Sequence, residues 1–347
     1  MCVSCMRNLL LTIDYPPNRG GVARYLQALV LTYPTRFEVV SDVSRILAPH
    51  ARPHWLKALR TLRSRRGEYD QLWVSHLHPL GFVALAAKLL WRKPYVVILH
   101  GLDFRLGLRN PWKRFLSHRI LRAARLVVCN SQALAKEVER FESSVKPHVV
   151  YPTLPDVLNQ PVNKPARSVS FTHPLRLLTV ARLVSRKNHS AMIEAVSRLD
   201  NVDYTMVGDG HNRDMIEALI QDGGLKDRVR LRTDVSDEEL AQAYASADVF
   251  VLPVLPDKVD VEGFGIVYLE AAEAGLPIIA TKMRGVEEAL CPEGAIQLDE
   301  PTPQAIASAL RELQDDPGRC AWMGQANRAF VKRFSRERQF GKLEPYV

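Results

Sequence analysis

Val249-Phe250-Val251-Leu252, then Glu262-Gly263-Phe264-Gly265-Ile266-Val267-Tyr268-Leu269-Glu270-Ala271-Ala272-Glu273-Ala274-Gly275-Leu276-Pro277, then Ile278-Ile279-Ala280 decide how this chain folds. The first run is short, β-branched and apolar, as a strand buried on both faces should be. A polar loop holding Pro253 and Pro256 follows it. Glycines at 263 and 265 open a helix, and Gly275-Leu276-Pro277 ends it just before the next apolar run. Strand, loop, helix and strand in that order make a βαβ unit with parallel strands.

The same alternation extends outward in both directions. Toward the amino terminus the strand candidates are Asn8–Ile13, Phe37–Val40, Gln71–Val74, Tyr95–Leu99, Leu126–Cys129 and His148–Val150. The later part adds Arg176–Val180, Asp203–Val207, Val229–Leu231, Val249–Leu252 and Pro277–Ala280. Helical periodicity separates them at Ala23–Leu31, Ser131–Arg140, Ala191–Leu199 and Asp237–Ala245. Two successive βαβα series read as two Rossmann-like, doubly wound α/β domains. With 347 residues the chain has room for both cores. Pro152 to Pro174 carries five prolines and little periodicity, which marks a linker. The expected division is therefore 1–160, 161–318, and a helical segment 319–347 packing back on the first domain.

Charge is distributed unevenly. Residues 1–165 hold 25 Lys and Arg against 10 Asp and Glu, and the rest hold 22 against 28. Only the first part is thus suited to a polyanion. In it, Trp55, Leu56, Leu59 and Leu62 share one helical face opposite Lys57, Arg60, Arg63 and Arg65-Arg66. Such a helix suits either an anionic membrane surface or an ordinary basic exterior. Aromatic residues make up 7% of the chain and are not interleaved with the basic ones, so a nucleic-acid partner is not expected. The apolar stretches are too short for a membrane span or a secretion signal; the best, Gly81–Trp91, contains Lys88. Cys2, Cys5, Cys129, Cys291 and Cys320 are scattered, and only the first two have metal-ligand spacing, without a second pair. A cytoplasmic protein, peripheral on the inner face of the cell membrane at most, is the expectation.

Chemistry gathers at two places. Small residues at 263 and 265 would let a ligand approach the bare N–H groups of a helix start, where anions are favoured. Glu262 precedes that helix, and Glu270 is expected two turns inside it, so each should meet a different hydroxyl-bearing part of one ligand. The second place is Thr179-Val180-Ala181-Arg182-Leu183-Val184-Ser185-Arg186-Lys187-Asn188. A strand ends there, which puts Arg182 and Lys187 at the carboxyl edge of a sheet, where open α/β folds bind ligands. A guanidinium and an ammonium in that position can take up the charge of a departing diphosphate.

These anchors resemble those of glycosyltransferase family 4, retaining enzymes of the GT-B fold. The resemblance spans nearly the whole chain and is densest over Leu177–Ala280, including Met206-Val207-Gly208-Asp209-Gly210 and Asp234-Val235-Ser236-Asp237-Glu238-Glu239-Leu240. It implies two Rossmann-like domains with a cleft between them and no metal or cofactor. The resemblance also assigns roles: Arg182 and Lys187 to the donor diphosphate, Glu270 to the ribose, and Glu262 with Gly263, Phe264 and Gly265 to the sugar. Backbone near Val235 would face the base. Gly20 and Gly21, after Pro16-Pro17, would approach the diphosphate, and His100 would lie near the reacting centre. The wording around Glu262 to Glu270 is similar to that of some mannosyltransferases, which favours GDP-mannose over UDP-sugars as donor. A saccharide, lipid-linked in surface-polysaccharide or glycolipid synthesis, is the expected acceptor.

Arg284 before Gly285 departs from the small residue common in the family. Asp257 and Asp260 do not form an Asp-any-Asp metal motif, Gly208-Asp209-Gly210 lacks the third glycine of a dinucleotide fingerprint, and no Gly-any-Ser-any-Gly elbow occurs. Two other readings remain: a nucleotide-sugar epimerase of the same fold, and a non-enzymatic two-lobed small-molecule binding protein.

Overall fold

Short, mostly apolar runs of two to six residues satisfy their backbone groups by pairing side by side, and among the described residues every pairing is parallel. The computed structural model describes residues 6–18, 20–47, 54–154, 173–257 and 263–347, with the side chain of Arg45 outside that description. Cys2, Cys5, Asp260, Glu262 and residues 155–172 of the proline-rich stretch therefore lie outside the described residues. The chain forms two compact units: Met1–Thr153 with Val259–Phe264 and Phe334–Val347, and Leu154–Lys258 with Gly265–Arg333.

The first unit contains β1 (Asn8–Leu11), α1 (Gly21–Thr32), β2 (Phe37–Val40), α2 (Val43–Ile46), α3 (Leu56–Ser64) and β3 (Gln71–Ser75). It continues with α4 (Phe82–Trp91), β4 (Tyr95–Leu99), α5 (Leu102–Leu108), α6 (Pro111–Ala123), β5 (Leu126–Cys129), α7 (Gln132–Phe141) and β6 (His148–Val149). Its strands run in the order β2-β1-β3-β4-β5-β6. Because successive strand residues face opposite ways, Leu9 and Leu11 join α3, α4, α6 and α7 on one side. Leu10 joins Tyr25, Leu26 and Leu29 of α1 on the other side, where Phe340 and Leu343 from the end of the chain also pack.

The second unit contains β7 (Leu175–Val180), α8 (His189–Ser197), β8 (Val202–Val207), α9 (Arg213–Asp222), β9 (Val229–Arg232) and α10 (Asp237–Ser246). Then come β10 (Val249–Leu252), α11 (Ile266–Glu273), β11 (Ile278–Thr281), β12 (Ala295–Leu298), α12 (Pro303–Asp315) and α13 (Pro317–Val331), while the short α14 (Arg336–Phe340) belongs to the first unit. The strand order β12-β11-β10-β7-β8-β9 reverses between β7 and β10, as in dinucleotide-binding sheets. Val249 and Val251 face α8, α9 and α12. Phe250 points the other way, its ring 6.0 Å from Tyr244 of α10 and 5.9 Å from Tyr268 of α11.

Both units clamp the amino ends of the strands flanking the reversal in the same way. Arg7, just before β1, donates to both carboxylate oxygens of Asp70, just before β3, at 3.2 and 3.1 Å. Arg176 on β7 does the same to Asp248, just before β10, at 3.0 and 2.9 Å. Each Asp also accepts the backbone N–H of its Arg. The pairs differ in burial: the side chain of Asp70 is 44% exposed and that of Asp248 only 6%.

α3 shows what tertiary packing does with an amphipathic pattern. Leu62 is buried, and Trp55 and Leu59 pack against the same core, while Leu56 of that face stays exposed, so most of the apolar face is spent within the unit. The neighbouring helices α5 and α6 are tied to α7. Arg105 forms a bidentate pair with Glu137, and Glu142 accepts from both His118 and Arg122. The hydroxyl of Ser144, with these two partners, holds the Glu142 carboxyl down at about 2.

The clamps should respond to mutation according to burial. Asp248→Ala removes charge-assisted bonds from an interior site and should lower unfolding stability by about 2 kcal/mol or more. Asp70→Ala should cost under about 1 kcal/mol, because water already shares that pair. Urea unfolding of the two variants measures the contrast; equal losses would contradict it.

Candidate active site

In the second unit the reversal of strand order opens the sheet edge. Backbone pairing of β7 with β10 covers Leu177 with Val249 and Leu178 with Phe250. One residue further, the Thr179 hydroxyl donates to the Val251 carbonyl at 2.5 Å and accepts from Tyr204 at 2.9 Å. Beyond that point the two strands give way to loops, and both loops carry residues singled out in the sequence.

The loop after β7 holds Arg182 and Lys187 in different environments. Arg182 presents an exposed side chain while its carbonyl accepts from His189 Nε2 at 3.1 Å. His189 is buried at the start of α8, and burial holds its imidazole below its ordinary pKa. A neutral ring donating through Nε2 leaves Nδ1 without a hydrogen, consistent with the unpaired Nδ1 found there. Lys187 ends a single 3-10 turn, Ser185–Lys187, and is 7% exposed. The carbonyl of Arg186 in that turn accepts from the Leu255 amide at 2.8 Å, which fastens the loop after β10 to the loop after β7.

The loop after β8 supports the first of these. Leu183 N–H donates to the Asp209 carbonyl at 2.9 Å and Ala181 N–H to the Val207 carbonyl at 3.0 Å. A Cβ at Gly208 would stand 2.0 Å from the Ala181 carbonyl oxygen, and one at Gly210 would stand 2.5 Å from that of Leu183. Only glycine permits the approach.

The chain passes from the first unit to the second between Phe264 and Gly265. Phe264 is buried between Tyr151 and Phe334, with ring centroids 5.3 and 5.5 Å away. A Cβ at Gly263 would come within 3.1 Å of the His100 carbonyl oxygen. Gly265 caps α11 at φ 82°. Glu270, 1% exposed, accepts from the Tyr244 hydroxyl at 2.7 Å. It is therefore an interior carboxylate with a fixed partner rather than a solvated surface glutamate. Val235 lies half-buried after β9, beside the left-handed Asp234. Glu262 falls outside the described residues.

In the first unit, Asp103 gathers the loops after β3 and β4. One of its carboxylate oxygens accepts the amides of His100 and Gly101, each at 3.0 Å, and the other accepts that of Leu77 at 3.0 Å. Between them His76 adopts φ 80°, a backbone region that costs a non-glycine residue about 1–3 kcal/mol. Both ring nitrogens of His76 face acceptors: Nδ1 lies 2.9 Å from the Ser75 carbonyl and Nε2 3.3 Å from Asp14. Only an imidazolium donates to both. Burial opposes that charge, but the Asp14 bond and the nearby Asp103 and Asp14 carboxylates outweigh it and raise the His76 pKa.

His100 lies beside His76, ring centroids 5.6 Å apart, with Tyr25 of α1 edge-on at 5.6 Å. Its Nε2 is 2.9 Å from the Ser75 hydroxyl. Burial and then the His76 charge push it down to about 4. Since His76 Nδ1 also lies 3.3 Å from the Ser75 oxygen, the bonds close when Ser75 donates to His100 Nε2, leaving the His100 proton on Nδ1. Gly20 and Gly21 begin α1 at the same sheet edge, with no side-chain cap on the helix and nothing within 4 Å of a Cβ at Gly20.

Of the candidate residues, Arg182 and Lys187 share one loop, and His100 and Gly263 are neighbours. His189, Tyr244, Ser75, His76 and Asp14 were not anticipated; they come from four separate segments, and no local motif announces them. Among the described residues, no group of three or more His, Cys, Asp or Glu is placed to hold a metal ion.

The two histidines should pull stability in opposite directions with pH. An unfolded histidine titrates near 6.5. His100, neutral when folded, contributes stability that is complete above about 6.5 and lost as pH falls toward 4. The His76 contribution is complete below about 6.5 and lost as pH rises past its folded value. Histidine-labelled NMR from pH 8 to 4 should find His100 neutral with its proton on Nδ1, and Ser75→Ala should disturb that tautomer. Titration of His100 near 6.5 would contradict this arrangement.

Comparison with known proteins agrees with this architecture. Residues 27–155 match the family model described as Glycosyltransferase Family 4, and residues 163–330 match Glycosyl transferases group 1. A Corynebacterium glutamicum protein named GDP-mannose-dependent monoacylated alpha-(1-6)-phosphatidylinositol monomannoside mannosyltransferase is 26% identical over 94% of this chain and 93% of its own. A GDP-mannose-dependent alpha-(1-6)-phosphatidylinositol monomannoside mannosyltransferase of Mycobacterium tuberculosis is 28% identical over the same shares. Among solved structures, Anabaena HepE in complex with UDP and glucose aligns with a TM-score of 0.77 at 18% identity, over 99% of this chain and 100% of that one. That likeness carries the fold, which is GT-B. With both sheets, their reversal points and two adjoining family matches in agreement, the chain belongs to the family 4, group 1 glycosyltransferases.

Proposed function

We propose that the protein transfers a hexose from a nucleotide diphosphate sugar to a hydroxyl of a saccharide acceptor, with retention of configuration and without a metal. The observation that carries this reading is the cationic loop after β7: an exposed Arg182 whose backbone is held by His189, followed by a buried Lys187. Two cations at the carboxyl edge beside a strand-order reversal suit a pyrophosphate, and as the C1–O bond breaks they stabilise the charge that leaves with it. In this reading Glu270 holds the ribose, its carboxylate oriented by Tyr244, and backbone near Val235 meets the base. Glu262, Gly263, Phe264 and Gly265 hold the sugar.

The first unit supplies the acceptor side, with Gly20 and Gly21 approaching the diphosphate and a neutral His100 offering an N–H rather than a charge. The bond from C1 to the diphosphate oxygen breaks, the acceptor oxygen bonds C1 from the same face, and the acceptor proton passes to a phosphate oxygen. Neither a carboxylate nucleophile nor a bound cofactor enters this balance.

The GDP-mannose dependence named in the Corynebacterium and Mycobacterium relatives supports GDP-mannose as donor. Their phosphatidylinositol mannoside acceptors support a lipid-linked saccharide acceptor here. HepE has the same fold and binds UDP and glucose, so architecture alone carries no weight in choosing the base.

A thermal-shift panel of GDP-, UDP- and ADP-sugars tests the donor. GDP-mannose at about a hundredfold its Kd should stabilise the protein by about 2.7 kcal/mol, and the others by much less. Arg182→Ala should lose that shift and about 100-fold or more in turnover, whereas Glu262→Ala should lose turnover and keep most of the shift. Equal loss of binding in both variants would contradict these roles, and nucleoside diphosphate release that ignores added acceptor would contradict transfer.

A further inference from the structure

We infer that the α5–α6 surface of the first unit docks on an anionic lipid bilayer. α6 buries Ser117, Ile120 and Leu121, so Trp112, Phe115 and Arg119, at i, i+3 and i+7, occupy the opposite face. Trp112 is 66% exposed and Phe115 49%, and their rings stack at 5.9 Å. The Arg119 guanidinium lies over the Phe115 ring at 5.4 Å. α5 adds Leu102 and Leu106, one turn apart and both exposed. One exposed aromatic needs no explanation, but two stacked rings on one helix face, with two more exposed leucines on the helix that precedes it and packs against it, amount to more apolar surface than scattered single residues.

Charge identifies the partner. Residues 104–136 include eight Lys and Arg and no Asp or Glu. Arg105 and Arg122 turn toward Glu137 and Glu142 of the α7 region, so the carboxylates bordering the patch are already paired. Arg109, Lys113 and Arg119 have no carboxylate partner among the described residues. Aromatic rings at headgroup depth with unpaired cations around them match a membrane interface whose lipids are negative. A nucleic acid would use the cations but leave the two leucines in water.

Topology places the patch at the functional edge. α5 begins directly after Gly101, next to His100, and α6 returns from that edge toward the start of β5. Trp112 and Phe115 occupy the first turns of α6, so they stand at the carboxyl edge of the sheet, as His100 does. An acceptor hydroxyl anchored in the same membrane would reach that edge without its lipid leaving the bilayer. Leu89 and Leu90 are also exposed, but they end α4, which runs into the start of β4 at the opposite edge. The inference rests on no assignment of donor or acceptor.

Full-length protein is sedimented with vesicles of phosphatidylcholine, with and without phosphatidylglycerol, at low and high salt. Binding is expected only to the anionic vesicles, weakening with salt. Trp112→Ala with Phe115→Ala should reduce partitioning about tenfold or more, and Lys113→Glu with Arg119→Glu should do likewise. Leu89→Ser with Leu90→Ser should change nothing, and thermal melts confirm that each variant folds. Full binding by the Trp112/Phe115 variant, equal binding to uncharged vesicles, or loss caused by Arg60→Glu with Arg63→Glu on α3 alone would each overturn the inference. GDP-mannose thermal shifts on the same variants should stay intact, which keeps a failed docking surface distinct from a failed donor site.

Discussion

A parallel sheet sends every strand's carboxyl end to one edge, and where the strand order reverses, the loops on either side lead apart and leave an opening. Everything assigned to donor binding depends on that constraint at β7 and β10. These strands are 72 residues apart in sequence at Thr179 and Val251, yet a hydroxyl-to-carbonyl bond joins them. The Arg186–Leu255 bond then fastens their loops together. A chain with the same side chains and a different strand order would scatter them. The Arg–Asp clamps at the amino ends of β1 with β3 and β7 with β10 brace the corresponding strands from the opposite edge. The two units thus repeat one solution that no repeat in the sequence reveals.

Interior polar groups at the two edges are tolerated only where geometry compensates for desolvation. Glu270 keeps a hydroxyl donor, and His76 keeps two acceptors. In the first unit, one carboxylate, Asp103, collects three backbone amides from two loops, and that collection holds His76 in its unusual backbone conformation. The result is one histidine pushed toward its charged form beside another held neutral. Such electrostatic preorganisation is set when the protein folds and needs no rearrangement at the moment of reaction.

Strands in the middle of the sheets were legible because burial on both faces leaves an uninterrupted apolar run, as in Tyr95–Leu99 and Val249–Leu252. β12 was missed for the complementary reason: at the sheet edge, Ala295 to Gln297 are only half-buried, and a glutamine interrupts the pattern. Arg182, Lys187 and Glu270 could be singled out through local spacing, since glycines and strand ends mark a candidate ligand edge. Tyr244, 26 residues from Glu270, and His76 with Asp14 were out of reach, because partners from different crossovers meet only after folding. α3 and α6 show the limit most clearly. Helical periodicity marks an apolar face but not what covers it, and packing covered most of the face of α3, Leu56 excepted, while leaving the rings of α6 in solvent.

Hydrogen exchange followed by mass spectrometry, with and without GDP, tests the donor edge most directly. Binding of the diphosphate between the two loops should slow exchange in residues 181–189 and 253–266 and leave the amino ends of β7 and β10 unchanged. Saturating GDP that protects some other region, or none, would contradict the assignment of this edge to the nucleotide diphosphate.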